Sequence, residues 1–270
     1  MAGAPVPEPW CSAVPAPPEG FEAKGRSVGF EVNAEGTCIG GYIAGEPQAG
    51  PEGKPTAAVV LLPDVFGWRD PWARRLADDL AAQYSCLVAV PDVQRGNVID
   101  EVVADAFLAL HASFQQWWDS HEPERVVRDA LGVAQNLRWG GATRVAVVGM
   151  GWSGEYAALA AATVGAAGAE LVDAFCAVLP ERLLAVPEGG AGKGARRPTL
   201  IVVRGEGGEG GVERGGGESA LASHGDGRHA ASRVVEAPAG VGRGAWARRG
   251  ESAAALTKIV GDFLRQAGVL

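Results

Sequence analysis

Apolar, β-branched runs recur along the chain at intervals long enough to hold a helix between them. Ala57–Pro63 (AAVVLLP), Cys86–Pro91 (CLVAVP), Arg144–Gly149 (RVAVVG), Ala174–Leu179 (AFCAVL) and Thr199–Arg204 (TLIVVR) are short and apolar on both faces. Strands acquire that pattern when helices cover both sides of a parallel sheet. Ahead of them, Ser27–Asn33 (SVGFEVN) and Thr37–Gly45 (TCIGGYIAG) alternate as an antiparallel pair joined by AEG,. Pro71–Tyr84 reads as a helix with proline in its first turn,. Glu101–Leu110 and Glu124–Leu137 also read as helices. Near the end, Leu256, Ile259, Val260, Phe263 and Leu264 form one helical apolar stripe that must face a sheet,. The expected fold is α/β, a doubly wound and mostly parallel sheet flanked by helices.

Two kinds of segment stand outside this rhythm. Residues 1–20 are Pro-rich and too poor in apolar side chains to bury a core, so an extended arm precedes a domain over 21–270,. Residues 187–197 and 205–232 are glycine-rich insertions, flexible unless a partner orders them,. A chain of 270 residues has room for one such domain rather than two,.

Charge and cysteine usage narrow the partners. A net charge of −8 opposes binding to a phosphate backbone, so no nucleic-acid partner is expected,. No apolar run reaches the roughly 18 residues of a membrane span, and the first residues lack the basic and apolar regions of a secretory signal,. A cytoplasmic location is the expectation. Cys11, Cys38, Cys86 and Cys176 are scattered without C-x-x-C spacing, and Cys86 and Cys176 read as small core residues,. No cofactor and no metal site is expected; His224, Asp226 and His229 cluster in the second insertion but lack an evident fourth ligand,.

The chemistry concentrates in Arg144–Ala162 (RVAVVGMGWSGEYAALAAA), where an apolar strand enters a glycine-rich turn and leaves as an alanine-rich helix. This is the strand–turn–helix context of a nucleophile elbow, with Ser153 the available hydroxyl. Yet G-W-S-G-E lacks the final glycine of G-x-S-x-G, and Ser153 falls where a serine caps or begins the helix,.

Several blocks together resemble the dienelactone hydrolase family of α/β-hydrolases: PPEGFEAKG, VVLLPDVFGWRDPWARRLADDLA with its D-[IV]-F-G turn, and VAVPDVQRG, in that order. The resemblance runs from about Pro17 to the C-terminus and implies an α/β-hydrolase fold. It also implies a Cys, Asp and His triad, whose three positions here hold Gly151, Gly208 and Arg243. Glycine relieves the strain of the elbow while removing the sulfur. Arginine has no lone pair with which to accept a proton.

The expectation is therefore a non-catalytic relative serving as a structural or scaffold subunit of a larger protein assembly, with a cytoskeletal or ciliary complex as one candidate host. Two alternatives stand beside it. One is hydrolysis of small esters or lactones through a rebuilt site using Ser153. The other is a small-anion module using Arg243 and Arg95, set against the reading that Arg243 merely pairs with Asp64, Glu206 or Glu209. Trp68 and Trp72, beside Arg69, Arg74 and Arg75, are candidates for an exposed protein-binding patch,. His111 and His121 are expected to make local hydrogen bonds.

Overall fold

The computed structural model describes residues 21–46, 57–99, 111–163, 171–180, 198–203, 232–237 and 250–270. The arm at 1–20, the first insertion, all of the second but Ser232, and the expected helix over 101–110 lie outside the described residues.

Eight strands form one sheet: β1 (Arg26–Glu31), β2 (Cys38–Ala44), β3 (Ala57–Leu62), β4 (Leu87–Pro91), β5 (Arg144–Met150), β6 (Ala174–Val178), β7 (Thr199–Val203) and β8 (Arg233–Glu236). Their spatial order is β1-β2-β4-β3-β5-β6-β7-β8. The pairs β1/β2 and β2/β4 are antiparallel, and every later neighbour is parallel. The five central strands β3 to β7 are buried at every residue, apart from the exposed Arg144 that opens β5. Burial on both faces is why their sequences show no alternation.

The helices are α1 (Pro71–Tyr84), α2 (His111–Asp119), α3 (Pro123–Trp139), α4 (Gly154–Ala162) and α5 (Gly250–Gln266). Leu76 and Leu80 of α1 join Leu256, Val260, Phe263 and Leu264 of α5 over one face of the sheet. Val126, Val133 and Leu137 of α3 pack with Tyr156 and Ala157 of α4 over the other. Both α1 and α3 start on a proline, whose missing N–H costs nothing in a first turn,. Asp70 caps α1 by accepting the Trp72 N–H at 3.1 Å,.

One expectation is corrected at this level. Trp68 and Trp72 are core residues rather than an exposed patch. Their faces are covered by guanidinium groups, Arg69 and Arg74 at 5.2 and 5.0 Å from the Trp68 ring and Arg75 at 5.6 Å from Trp72. An arginine over an indole gains cation–π attraction while its stem shields the ring from water. The edge strand β8 has no counterpart among the expected elements, because RVVE is only four residues long and partly exposed, too short to announce itself by pattern.

Candidate active site

Strand β5 ends at Met150, a single 3-10 turn covers Gly151–Ser153, and α4 follows at once. Gly151 has φ +53°, in the left-handed region that a side chain occupies only with strain. The turn therefore keeps the backbone of an elbow although the residue at its tip has no side chain. Gly149 makes the sharpness possible: a Cβ there would lie 2.4 Å from the Ser153 carbonyl oxygen.

The space above Gly151 is filled by another group. A Cβ built on Gly151 would stand 2.6 Å from Asp64 Oδ1, 2.8 Å from Asp64 Cγ and 2.9 Å from Asp64 Oδ2. Asp64 follows the C-terminal end of β3, the neighbour of β5 in the sheet. Its carboxylate is buried and lies where the base of an elbow side chain would be.

Asp64 Oδ1 accepts the Val65 N–H at 2.8 Å and the Trp152 N–H at 3.3 Å. Those donors come from the loop after β3 and from the residue following the elbow tip. These are the two sources from which α/β-hydrolases build an oxyanion hole. Asp64 Oδ1 lies at the point where these two amides converge. The Asp64 carbonyl is pinned in turn, accepting the Gly67 N–H at 2.9 Å and the Gln94 Nε2–H at 2.6 Å. Gln94 is itself buried, and its Oε1 has no hydrogen-bond partner among the described residues.

Ser153 is 0% exposed. Its Oγ accepts the Met150 N–H at 2.8 Å and donates to the Leu62 carbonyl at 2.8 Å, with the Met150 carbonyl 3.1 Å away. A hydroxyl has one proton, and this one is spent on a carbonyl. Ser153 ties the end of β5 to the end of β3, which sets Gly151 against Asp64.

Beneath the turn, the Trp152 ring is enclosed by Trp117, His121 and Tyr156, with centroids 5.2, 5.1 and 4.9 Å away. His121 is buried, with Nδ1 2.7 Å from the Trp117 carbonyl and Nε2 3.2 Å from the Asn97 carbonyl. Its local bonding agrees with expectation, and burial holds its pKa below the ordinary imidazole value,. His111 opens α2. Cys86 and Cys176 are buried free thiols, and burial pushes Cys86 up to about 12 and raises Cys176 as well. Neither is a nucleophile at neutral pH.

Arg95 does not join the elbow group. Its Nε and Nη2 donate to Asp129 Oδ2 and Oδ1 at 3.0 and 2.9 Å, and Arg125 adds a 3.3 Å contact to the same carboxylate. This bidentate pairing commits the guanidinium to holding the β4 loop on α3. Gly208, Arg243, Glu206, Glu209, His224, Asp226 and His229 lie outside the described residues, as does Trp246. Among the described residues, no group of three or more His, Cys, Asp or Glu side chains could hold a metal, and no helix is long and apolar enough to cross a membrane.

In the sequence Asp64 stands out only as a candidate partner for Arg243. The available signal was positional: it is an acidic residue directly beyond a fully apolar parallel strand, at the carboxyl edge where such sheets bind ligands. The amides of Val65 and Trp152 carry no residue-type signal at all.

Comparison with known proteins follows this geometry. The model of the dienelactone hydrolase family matches residues 39–181. A maize (Zea mays) endo-1,3;1,4-beta-D-glucanase is 31% identical over 114 residues, which is 42% of this chain and 32% of that protein. The match thus spans about a third of that relative's length. A dienelactone hydrolase from Anabaena variabilis superposes with TM-score 0.60 at 15% identity, covering 90% of this chain and 97% of that one. An esterase from Pyrobaculum calidifontis gives 0.58 at 14% identity, covering 92% and 86%. A dienelactone hydrolase-like promiscuous phosphotriesterase from metagenomic libraries gives 0.55 at 19%, covering 89% and 98%. At these identities the structural likeness is one of fold.

The expectation of a non-catalytic protein is corrected by these findings. The matching family and the relatives are enzymes. The inference of lost chemistry rested on three residue types. Of these, only Gly151 lies among the described residues, and there a carboxylate and two converging amides occupy the elbow.

Proposed function

The chain belongs to the dienelactone hydrolase family, and from that premise we propose that it hydrolyses small esters or lactones, with water as the attacking species at Gly151. The observation that carries this reading is the convergence of the Val65 and Trp152 N–H groups on one buried oxygen at 2.8 and 3.3 Å. Acyl transfer builds negative charge on the carbonyl oxygen, and fixed amide donors stabilise that charge without reorganising. One such donor is typically worth about a hundredfold to a thousandfold in rate. The relatives named as esterases and dienelactone hydrolases support the substrate class. Ser153 serves this site by holding the turn rather than by attacking, because its oxygen is enclosed and its proton engaged.

Steady-state hydrolysis of p-nitrophenyl acetate and of a small aliphatic lactone tests the reading. Wild type should exceed the uncatalysed rate at saturating substrate, and Gly151→Ala should fall by about a hundredfold. The added Cβ would meet Asp64 at 2.6 Å and carry a φ of +53°, displacing the carboxylate and turning the adjacent amide. Circular dichroism checks that the variant is folded. Wild type with no turnover of either substrate would sink the proposal.

A further inference from the structure

Resting on the reading of the elbow as an acyl-transfer site, we propose that Gln94 is a positioning residue of that site. It sets the plane of the 64–65 peptide, whose N–H is one of the two converging donors. A trans peptide is planar, and its C=O and N–H point in opposite directions. Whatever grips the Asp64 carbonyl from behind therefore aims the Val65 N–H in front.

Gln94 reaches that carbonyl from a different strand. β4 lies beside β3 and runs parallel to it, so the loops after both strands leave the same edge of the sheet. Past Pro91 the chain doubles back through two left-handed residues, Arg95 at φ +54° and Gly96 at φ +77°. The Asn97 N–H then closes onto the Gln94 carbonyl at 3.1 Å, and the Ile99 N–H onto the Val65 carbonyl at 3.0 Å. A non-glycine residue held at positive φ is strained, and such strain persists where the surroundings impose it. Its result here is a Gln94 side chain carried onto the turn that follows β3.

The chemistry fixes which way the side-chain amide faces. At 2.6 Å from a carbonyl oxygen the contact atom is the donor Nε2, since Oε1 in that place would set two acceptors together,. Oε1 is left without a hydrogen-bond partner among the described residues, on a residue that is 1% exposed. A buried acceptor without a partner costs stability, so core packing alone does not favour glutamine at this position. The gain lies at the Asp64 carbonyl. The Gly67 N–H also meets that carbonyl, at 2.9 Å, but it belongs to the same turn and moves with it. Gln94 holds the peptide from outside, and a donor on the carbonyl oxygen polarises the peptide so that its N–H donates more strongly. Gln94 touches no reacting atom; its effect passes through the Val65 N–H to the oxygen on which charge builds.

The test uses the full chain and two variants. Gln94→Met has nearly the same length and removes the donor and the orphaned acceptor together, so its melting temperature should stay near that of wild type. Its kcat for p-nitrophenyl acetate should fall at least about tenfold, a part of the hundredfold or more that one oxyanion donor carries, with KM within about twofold. In isotope-labelled protein observed by NMR, the Val65 amide proton should move upfield and exchange with solvent at least about tenfold faster. Gln94→Glu presents only acceptors when ionised and regains an O–H donor when protonated. Burial raises the pH at which that happens, so its turnover relative to wild type should climb between about pH 8 and about pH 5.

A Gln94→Met protein with kcat within about twofold of wild type overturns the proposal, as does a raised KM at unchanged kcat, which would place Gln94 in ground-state binding. A fallen kcat with the Val65 amide unmoved overturns it as well, because the effect would then travel another way. Should Gln94→Met fail to fold, Gln94→Glu decides, and a turnover ratio flat with pH overturns the role. A wild type with no esterase activity fails the functional reading and the role in rate with it, while the Val65 amide still decides whether Gln94 sets the peptide, so the two failures are separable.

Discussion

Two buried aspartates in this molecule are satisfied in different ways. Asp129 on α3 is fully buried and clasped by two arginines, Arg95 in a bidentate fork and Arg125 one turn away on its own helix. Asp64 lies across a glycine and takes two backbone amides from segments 88 residues apart at its longer reach. At Asp129 the carboxylate is the buried partner, and the two guanidinium groups reach it from the partly exposed side. At Asp64 two of the hydrogen bonds come from main-chain amides, so they follow from the turn itself. One aspartate is thus tied to charged side chains, and the other is tied in part to the backbone of the turn.

The sharpest way to break this comparison is at the clasped site. Asp129→Ala should cost about 1.5 to 3 kcal/mol of stability, the scale of lost hydrogen bonds to charged groups, since the two guanidinium groups it leaves are partly exposed,. Urea denaturation at neutral pH measures it, and turnover at temperatures well below melting should change little by comparison. A loss under about 1 kcal/mol would mean that the clasp is worth no more than a surface pair. Arg95 would then be available for the anion-binding role considered from the sequence.

A smaller effect is expected where the elbow is tied down. Ser153→Ala removes the acceptor for Met150 N–H and the donor to the Leu62 carbonyl, both inside the core. Orphaning such groups costs about 1 to 3 kcal/mol. The rate should fall far less than the thousandfold or more that follows loss of an attacking hydroxyl. A collapse of kcat with stability intact would return Ser153 to the role of nucleophile.

What the sequence made legible follows from where information is carried by side chains. The five apolar runs became the central strands, and the helix over Pro71–Tyr84 has the bounds its proline and apolar spacing suggested. The stripe from Leu256 to Leu264 packs on the sheet as expected. The position of β4 between β2 and β3 was not legible, because a crossover is decided by which edge a strand docks against. The site was legible only in outline. Gly151 announced the turn and the missing side chain, but its replacement comes from the loop after β3 and its donors are main-chain amides. The exposed tryptophan patch failed for a related reason: composition places Trp and Arg together without saying that the arginines lie over the rings.

The mildest expected effect concerns the floor of the site, where His121 faces two carbonyls. A neutral imidazole donates through one nitrogen, and the shorter contact, Nδ1 to the Trp117 carbonyl at 2.7 Å, assigns the proton there. Protonation would let Nε2 donate to the Asn97 carbonyl at 3.2 Å. Burial opposes that charge most strongly and Arg125 opposes it further, so the folded pKa lies below the ordinary value despite both carbonyls. The sign follows from linkage: above about pH 6.5 the imidazole is neutral in both states and costs nothing. As pH falls below that value the unfolded chain takes up a proton that the folded chain refuses, and stability declines until the folded pKa is reached. One proton limits the slope to about 1.4 kcal/mol per pH unit. Melting temperatures between pH 7 and pH 5 should fall more steeply in wild type than in His121→Gln, which can still donate to a carbonyl but does not titrate. Because the folded imidazole stays neutral across this range, its packing 5.1 Å from the Trp152 ring should be unchanged until the fold is lost. Parallel slopes in the two proteins would assign the acid sensitivity elsewhere and leave the floor of the site indifferent to pH.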